Sequence, residues 1–221
     1  MTMRNIIIAP DEHYHICNRG VNKQIIFHDT RDHFRFLFLI LYFQSTITFD
    51  QIGRVVDAFV LSPALDIRGE VVKKRTVELV AFCIMPNHFH LIIKELEENG
   101  ITNYMQRVLT AYSKYYNTKY EKSGHVFQGP YRAVHITDDR QLLHASAYIH
   151  RNPREMRNWF NKEDKYQWSS YQDYVRENRW GKLLITDIVS GQFKSKKEYQ
   201  KFVETSPAKA LKEELEYLAS L

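Results

Sequence analysis

Only two cysteines, Cys17 and Cys83, occur in the 221 residues, far apart and in no CxxC pairing. A disulfide framework and a thiolate zinc knuckle are therefore both excluded. Glycine and proline are scarce, with eight and six residues, which leaves no room for long flexible linkers. The longest apolar run, residues 36–43, falls far short of the roughly 20 residues that span a bilayer. No internal repeat and no low-complexity segment is present. GxSxG, P-loop and HExxH patterns are also missing, so α/β-hydrolase, nucleoside-triphosphate and zincin chemistries have no support. Residues 1–10 show neither the basic region, the apolar stretch nor the small-residue cleavage site of a signal peptide. A reducing cytoplasm is the expected compartment.

What remains is an ordinary globular composition, 44% hydrophobic and 26% charged, which excludes disordered, collagen-like and membrane-bundle classes. The length suits one large domain or two small ones. Lys+Arg number 31 against 26 Asp+Glu, a net +5. Taken alone, that is a weak pointer to a polyanionic partner. Its distribution says more: residues 101–160 hold nine Lys+Arg and four Asp+Glu, so the whole excess lies in that stretch.

Residues 13–18 read as a short strand, with Arg19-Gly20 beginning the turn after it. Asp29-Thr30 can cap a helix over 32–43, whose apolar residues wrap most of its circumference and call for burial against a sheet. Within the ambiguous 46–75 stretch, 54–61 and 70–74 read as two strands of a hairpin. Residues 76–85 form a better strand, rich in β-branched and apolar types. Pro86-Asn87 breaks it, and 88–94 continue as its hairpin partner. A helix follows over 102–120, with Ile101, Met105, Val108, Tyr112 and Tyr115 at helical spacing. Residues 125–136 are extended. Thr137 then caps a helix that ends near Arg151, because Pro153 disfavours helical geometry at Asn152. Strands paired as hairpins with helices between them predict an α+β fold on an antiparallel, ferredoxin-like sheet.

His88-Phe89-His90 is the first chemical candidate. Residues i and i+2 of a strand share a face, so both imidazoles point one way and Phe89 the other. Such a pair can chelate a cation if another element brings a third ligand. The bland alternative is two surface histidines flanking a core Phe. His13-Tyr14-His15 has the same spacing, and spacing alone does not separate the two pairs. In a ferredoxin-like sheet the first and third strands are neighbours, so the pairs can share a face. Tyr148 and Asn152 form the second candidate. Tyr148 lies about 120° from Leu142 around its helix, on a polar side, with Asn152 one turn on. A phenol beside a carboxamide can be a nucleophile beside a metal ligand, or merely a surface tyrosine before a capping Asn. Tyr112 and Tyr115 continue an apolar stripe and read as core.

Met85-Pro86-Asn87-His88-Phe89-His90-Leu91 resembles the signature of the single-tyrosine transposases, the HUH nucleases that move insertion sequences. Four further pieces match in order: Tyr14-His15 to Arg19-Gly20, Gly124-His125-Val126-Phe127-Gln128-Gly129, Tyr148 to Pro153, and Trp168-Ser169-Ser170-Tyr171. The last two resemble the REP-associated branch in particular. The likeness covers roughly residues 13–175, which suggests a transposase domain over 1–175 and a helical C-terminal extension over 176–221. Two departures stand out: 46–75 is longer than the usual link, and the tail after 175 varies too much in such proteins to be assigned.

The resemblance implies metal-dependent nicking and rejoining of DNA through a 5′-phosphotyrosine. It puts Tyr148 at the nucleophile and His88, His90 and Asn152 at a Mg²⁺ or Mn²⁺ ion. Single-stranded or hairpin DNA is the implied partner, with a cytoplasmic, nucleoid-associated location. Arg107, Lys114, Arg132, Arg140, Arg151 and Arg154 are the candidate DNA contacts, each alternatively a solvated surface charge; Tyr131 and Trp159 are candidate stacking platforms. Two other classes stay open, a hairpin-binding protein that does not cut and a phosphodiesterase that uses water. Leu211, Leu215 and Leu218 on one face of 208–221 can dock on their own domain or on another subunit, which leaves a homodimer open.

Overall fold

A four-stranded antiparallel sheet in the order β2-β3-β1-β4 organises the chain. The computed structural model describes residues 7–61 and 68–207; the leucine stripe of 208–221 lies outside them. Along the chain run β1 (His13–Arg19), α1 (Thr30–Tyr42), α2 (Ile52–Leu61), α3 (Arg68–Lys73), β2 (Val77–Met85), β3 (His88–Glu95) and α4 (Gly100–Lys119). Then come β4 (Arg132–Ile136), α5 (Asp139–Arg151), α6 (Tyr171–Val175), α7 (Asp187–Ser190) and α8 (Lys196–Thr205). The β1-α1-β2-β3-α4-β4 frame is the ferredoxin-like arrangement expected from the sequence.

The sheet has two unlike faces. Tyr14 and Ile16 of β1 and Phe89, Leu91 and Ile93 of β3 point to one of them, all buried. There α1 and α4 cover the strands. Phe36 of α1 meets Phe89 at 4.9 Å and Tyr112 of α4 at 5.2 Å between ring centroids. Asp29 starts α1 as expected, its side chain accepting from the Asp32 amide at 2.9 Å. Buried Glu95 starts α4, its carboxylate accepting from the amides of Gly100 (3.0 Å) and Ile101 (2.6 Å), where the helix dipole favours negative charge. A side chain at Gly100 would strike the Thr76 carbonyl at 2.5 Å, so the close turn from strand to helix requires glycine there.

Two local expectations are corrected. The hairpin expected over 54–61 and 70–74 is instead α2 and α3. Ile52, Val56 and Phe59 recur at i, i+4 and i+7, a helical stripe; Phe59 packs on Phe38, Tyr42 and Trp180. That packing outweighs the strand preference of the valines. The second correction concerns α5, whose cap is Asp138 rather than Thr137. The Asp138 side chain accepts from the Gln141 amide at 2.8 Å, and Gln141 in turn accepts from the Thr137 amide at 2.7 Å.

α5 covers the other sheet face. It is held from behind by α8, where Tyr199, fully buried, lies 2.6 Å from His150 Nδ1 and 3.1 Å from Ser146 Oγ. The Trp168-Ser169-Ser170 segment lines the outer edge of β2. The Ile84 amide donates to Trp168 O, and the Ser170 amide to Phe82 O, both at 2.9 Å.

Candidate active site

Antiparallel pairing of β1 with β3 sets Cys17 opposite His90 and Arg19 opposite His88. His15, Cys17, His88 and His90 therefore face the same way, toward α5. Of the two His-x-His pairs, β3 contributes both members and β1 only His15, since His13 pairs with Lys94 farther along the sheet. The His15 and His90 rings stack at 5.1 Å, with His15 Nε2 2.9 Å from His90 Nδ1. Burial pushes the His15 imidazole down to about 4, so it is neutral at pH 7. Its Nδ1 is buried with no hydrogen-bond partner, which costs free energy.

Tyr148 comes down from α5 onto these rings. Its ring stands edge-on to His90 at 5.3 Å and to His15 at 5.9 Å. Its side of α5 is thus polar, as helical spacing implied, but it faces imidazoles in a crevice rather than water: Tyr148 is only 9% exposed. One turn on, Asn152 donates from Nδ2 to the Tyr148 carbonyl at 3.0 Å. This fixes which end of the amide is which and turns Oδ1 toward His88 Nε2, 3.4 Å away.

The tautomer of His88 can be read in the same way. Asn87 donates from Nδ2 to Lys23 O at 3.1 Å, so its Oδ1, 2.6 Å from His88 Nδ1, must accept. His88 then carries its proton on Nδ1 when neutral, and Nε2 is an acceptor. Two acceptors, His88 Nε2 and Asn152 Oδ1, face each other at 3.4 Å. A divalent cation between them reconciles the pair, so this donor set fits a metal ion. Asn87 Oδ1 holds the His88 ring and would be the outer partner of such a site.

The remaining family pieces brace the turn before His88. The Gly20 amide donates to Asn87 O at 2.8 Å, and the Ile26 and Phe27 amides donate to Pro86 O at 2.9 and 3.0 Å. Arg19 Nε donates to Gln128 Oε1 at 2.8 Å. The crevice they enclose, about 430 Å³, is lined by His15, Cys17, His88, His90, Tyr148 and Asn152, with Arg132 and Lys23 among the cations at its mouth.

The six candidate DNA contacts do not gather here. Arg132 does, on β4 opposite Cys17. Arg140 is exposed at the start of α5. Arg154 is held by Glu163 at 2.6 Å, and Arg151 reaches the Ser206 carbonyl. Arg107 and Lys114 belong to α4, on the opposite sheet face. Arg107 is spent on the carbonyls of Phe43, Ser45 and Ile47, whereas Lys114 is exposed. The basic stretch 101–160 is thus divided between two faces. Tyr131 is buried, which removes it as a stacking platform, and Trp159 is half-buried against Tyr166. Sequence reasoning passed over Cys17, Lys23 and Asn87. Only the β1 register, which repeats the i, i+2 spacing as His15-x-Cys17, could have signalled Cys17.

The sheet carries two histidines on its third strand and a tyrosine on the helix above them, and known proteins can be compared with that arrangement. Residues 53–152 match the family model described as IS200-like transposase. The chain is also similar to a solved REP-associated tyrosine transposase bound to a REP hairpin, with 13% identity and a TM-score of 0.54 over 85% of this chain and 93% of that one. At that identity the likeness is one of fold. No curated protein matches the chain. The resemblance to the single-tyrosine transposases is borne out by the family model over residues 53–152 and by the shared fold. Among the described residues no helix is long and apolar enough to cross a membrane.

Proposed function

We infer that this protein nicks single-stranded or hairpin DNA and rejoins strands through a covalent tyrosine intermediate. The observation that carries the reading is the convergence of Tyr148, His90, His88 and Asn152 in one crevice, with the His88 and Asn152 acceptors set 3.4 Å apart. Tyr148 is the nucleophile. Its oxygen forms a bond to the scissile phosphorus as the bond to the 3′ oxygen breaks; the phenol proton is lost and the 3′ oxygen gains one. The products are a 5′-phosphotyrosine and a free 3′-OH, and a second 3′-OH reverses the step without ATP.

A free phenol, with pKa near 10, is a weak nucleophile at pH 7. Mg²⁺ or Mn²⁺, held by His88, His90 and Asn152, would supply the charge that stabilises the pentacoordinate phosphate. The two imidazoles favour Mn²⁺ and the amide oxygen tolerates Mg²⁺. Asn87 and His15 hold the two histidine rings in place, and the low exposure of Tyr148 limits attack by water. Arg132, at the crevice mouth, is the first candidate for the DNA backbone; Lys114, Arg140, Arg151 and Arg154 would act farther out, and Arg107 least, being bound into the fold. The hairpin in the related structure supports a hairpin substrate here, read by shape and backbone. A cytoplasmic, nucleoid-associated location follows from that substrate.

The test is a denaturing gel of full-length protein incubated with single-stranded hairpin DNA and Mn²⁺. A covalent adduct in the native protein that is absent in Tyr148→Phe is the expected result. Binding without cleavage would make the protein a hairpin-binding module. Cleavage that survives Tyr148→Phe would give the attack to water.

A further inference from the structure

The same crevice holds a second set of donors, of different chemical character. His15 and Cys17, two apart on β1, lie on the face shared with His90 of β3. One donor atom from each of these three residues lies within 4.8 Å of the other two. Two nitrogens and a sulfur are a borderline-soft set that suits Zn²⁺ and not Mg²⁺. We propose that His15, Cys17 and His90 form a zinc site that overlaps the nicking site and competes with its cation for His90.

The spacing agrees with that assignment. Ligand distances of about 2.0–2.1 Å to nitrogen put two imidazole nitrogens about 3.3 Å apart on a tetrahedral zinc ion. His15 Nε2 and His90 Nδ1 are now 2.9 Å apart, so the rings need part by only a few tenths of an ångström. Cys17 sits directly across from His90 in the β1–β3 register and is half-buried at the crevice wall, where an ion can reach it. Water fills the fourth position. As the Zn–S bond forms, the thiol releases its proton to solvent.

Competition follows from the chemistry of one ring. A neutral imidazole has one N–H and one lone pair. To join His88 on a nicking cation, His90 keeps its proton on Nδ1, shared with His15, and offers Nε2. Zinc at Nδ1 moves that proton to Nε2 and closes it to the other ion. His90 therefore serves one cation at a time, and the proton position decides which. The competition rests on the nicking function; the binding of zinc does not.

Cobalt(II) added to the full chain is the probe, because a thiolate ligand gives it a charge-transfer band that oxygen and nitrogen ligands do not. The native protein is expected to develop that band and lose it on addition of Zn²⁺. Cys17→Ser should abolish the band and weaken Zn²⁺ binding at least about 100-fold, the upper end of what loss of a mere outer-sphere partner costs. Cys83→Ala should keep it, since that sulfur lies in the core of β2. Asn152→Ala should keep it too, while lowering Mn²⁺ affinity. Cobalt bound without the band, or a band that survives Cys17→Ser or disappears with Asn152→Ala, would overturn the inference. No DNA is cleaved in this experiment, so a chain that shows the band but never nicks DNA refutes only the nicking function. A chain that nicks without the band refutes only the zinc site.

Discussion

Alternate residues of one strand have opposite work in this protein. On β3, Phe89, Leu91 and Ile93 turn into an aromatic and aliphatic core under α1 and α4; His88 and His90 turn into a crevice under α5. The first face is closed and apolar. On the second lie a neutral buried histidine without a partner at Nδ1, two facing acceptors and a mostly enclosed tyrosine. Because a strand alternates strictly, a change of one position moves a substitution from stability to chemistry. The twofold period of the sheet separates the two functions without separating them in sequence.

That contrast can be broken or sharpened by substitution. The largest effect is expected on the crevice side: Tyr148→Phe should remove the covalent DNA adduct altogether while leaving the thermal transition near that of the native protein, by gel and calorimetry. On the closed side Phe89→Ala should cost about 3–5 kcal/mol of stability, the usual cost of truncating a buried Phe, in denaturant titration. If Phe89→Ala instead left stability intact, the two faces would not differ in the way described. Asn87→Ala, which removes the acceptor orienting His88, should lower Mn²⁺ affinity about 10–100-fold by calorimetric titration, with little change in stability.

A smaller effect concerns pH. Burial alone would raise the Asp32 carboxyl, but hydrogen bonds from Lys119, Tyr120, the His28 amide and Tyr115 outweigh it and hold it below the usual carboxylate range. A carboxyl that titrates lower in the fold than in the unfolded chain stabilises the fold above about pH 4 and ceases to as pH falls through its folded value. Stability should therefore fall with acid, and Asp32→Asn should flatten that slope in pH-dependent denaturation. Least of all, Asp29→Ala, which removes the α1 cap, should cost about 1 kcal/mol.

The frame was legible because its signals are local. The His88-Phe89-His90 alternation, the Pro86-Asn87 break, the Asp29 cap and the stripe of α4 each fix an element within a few residues. Tyr148 and Asn152 could be paired because they lie one turn apart. What stayed hidden depends on contacts across the chain. The valines of α2 suit a strand as well as a helix, and only Phe38, Tyr42 and Trp180 on the Phe59 side turn its stripe into a helix face. The division of the basic stretch over two sheet faces cannot be seen without the topology. Nor can the choice of His15 over His13, which is set by the β1–β3 register.

The Trp168–Ser170 segment has one further consequence. By pairing with the outer side of β2 it leaves the sheet a single unpaired margin, the far side of β4, among the described residues. Exposed strand margins invite joining with other chains, and this one is only five residues long, with Arg132 projecting from it. That open margin belongs to the strand whose Arg132 and Val134 line the histidine crevice, so among the described residues whatever pairs with β4 would lie beside it.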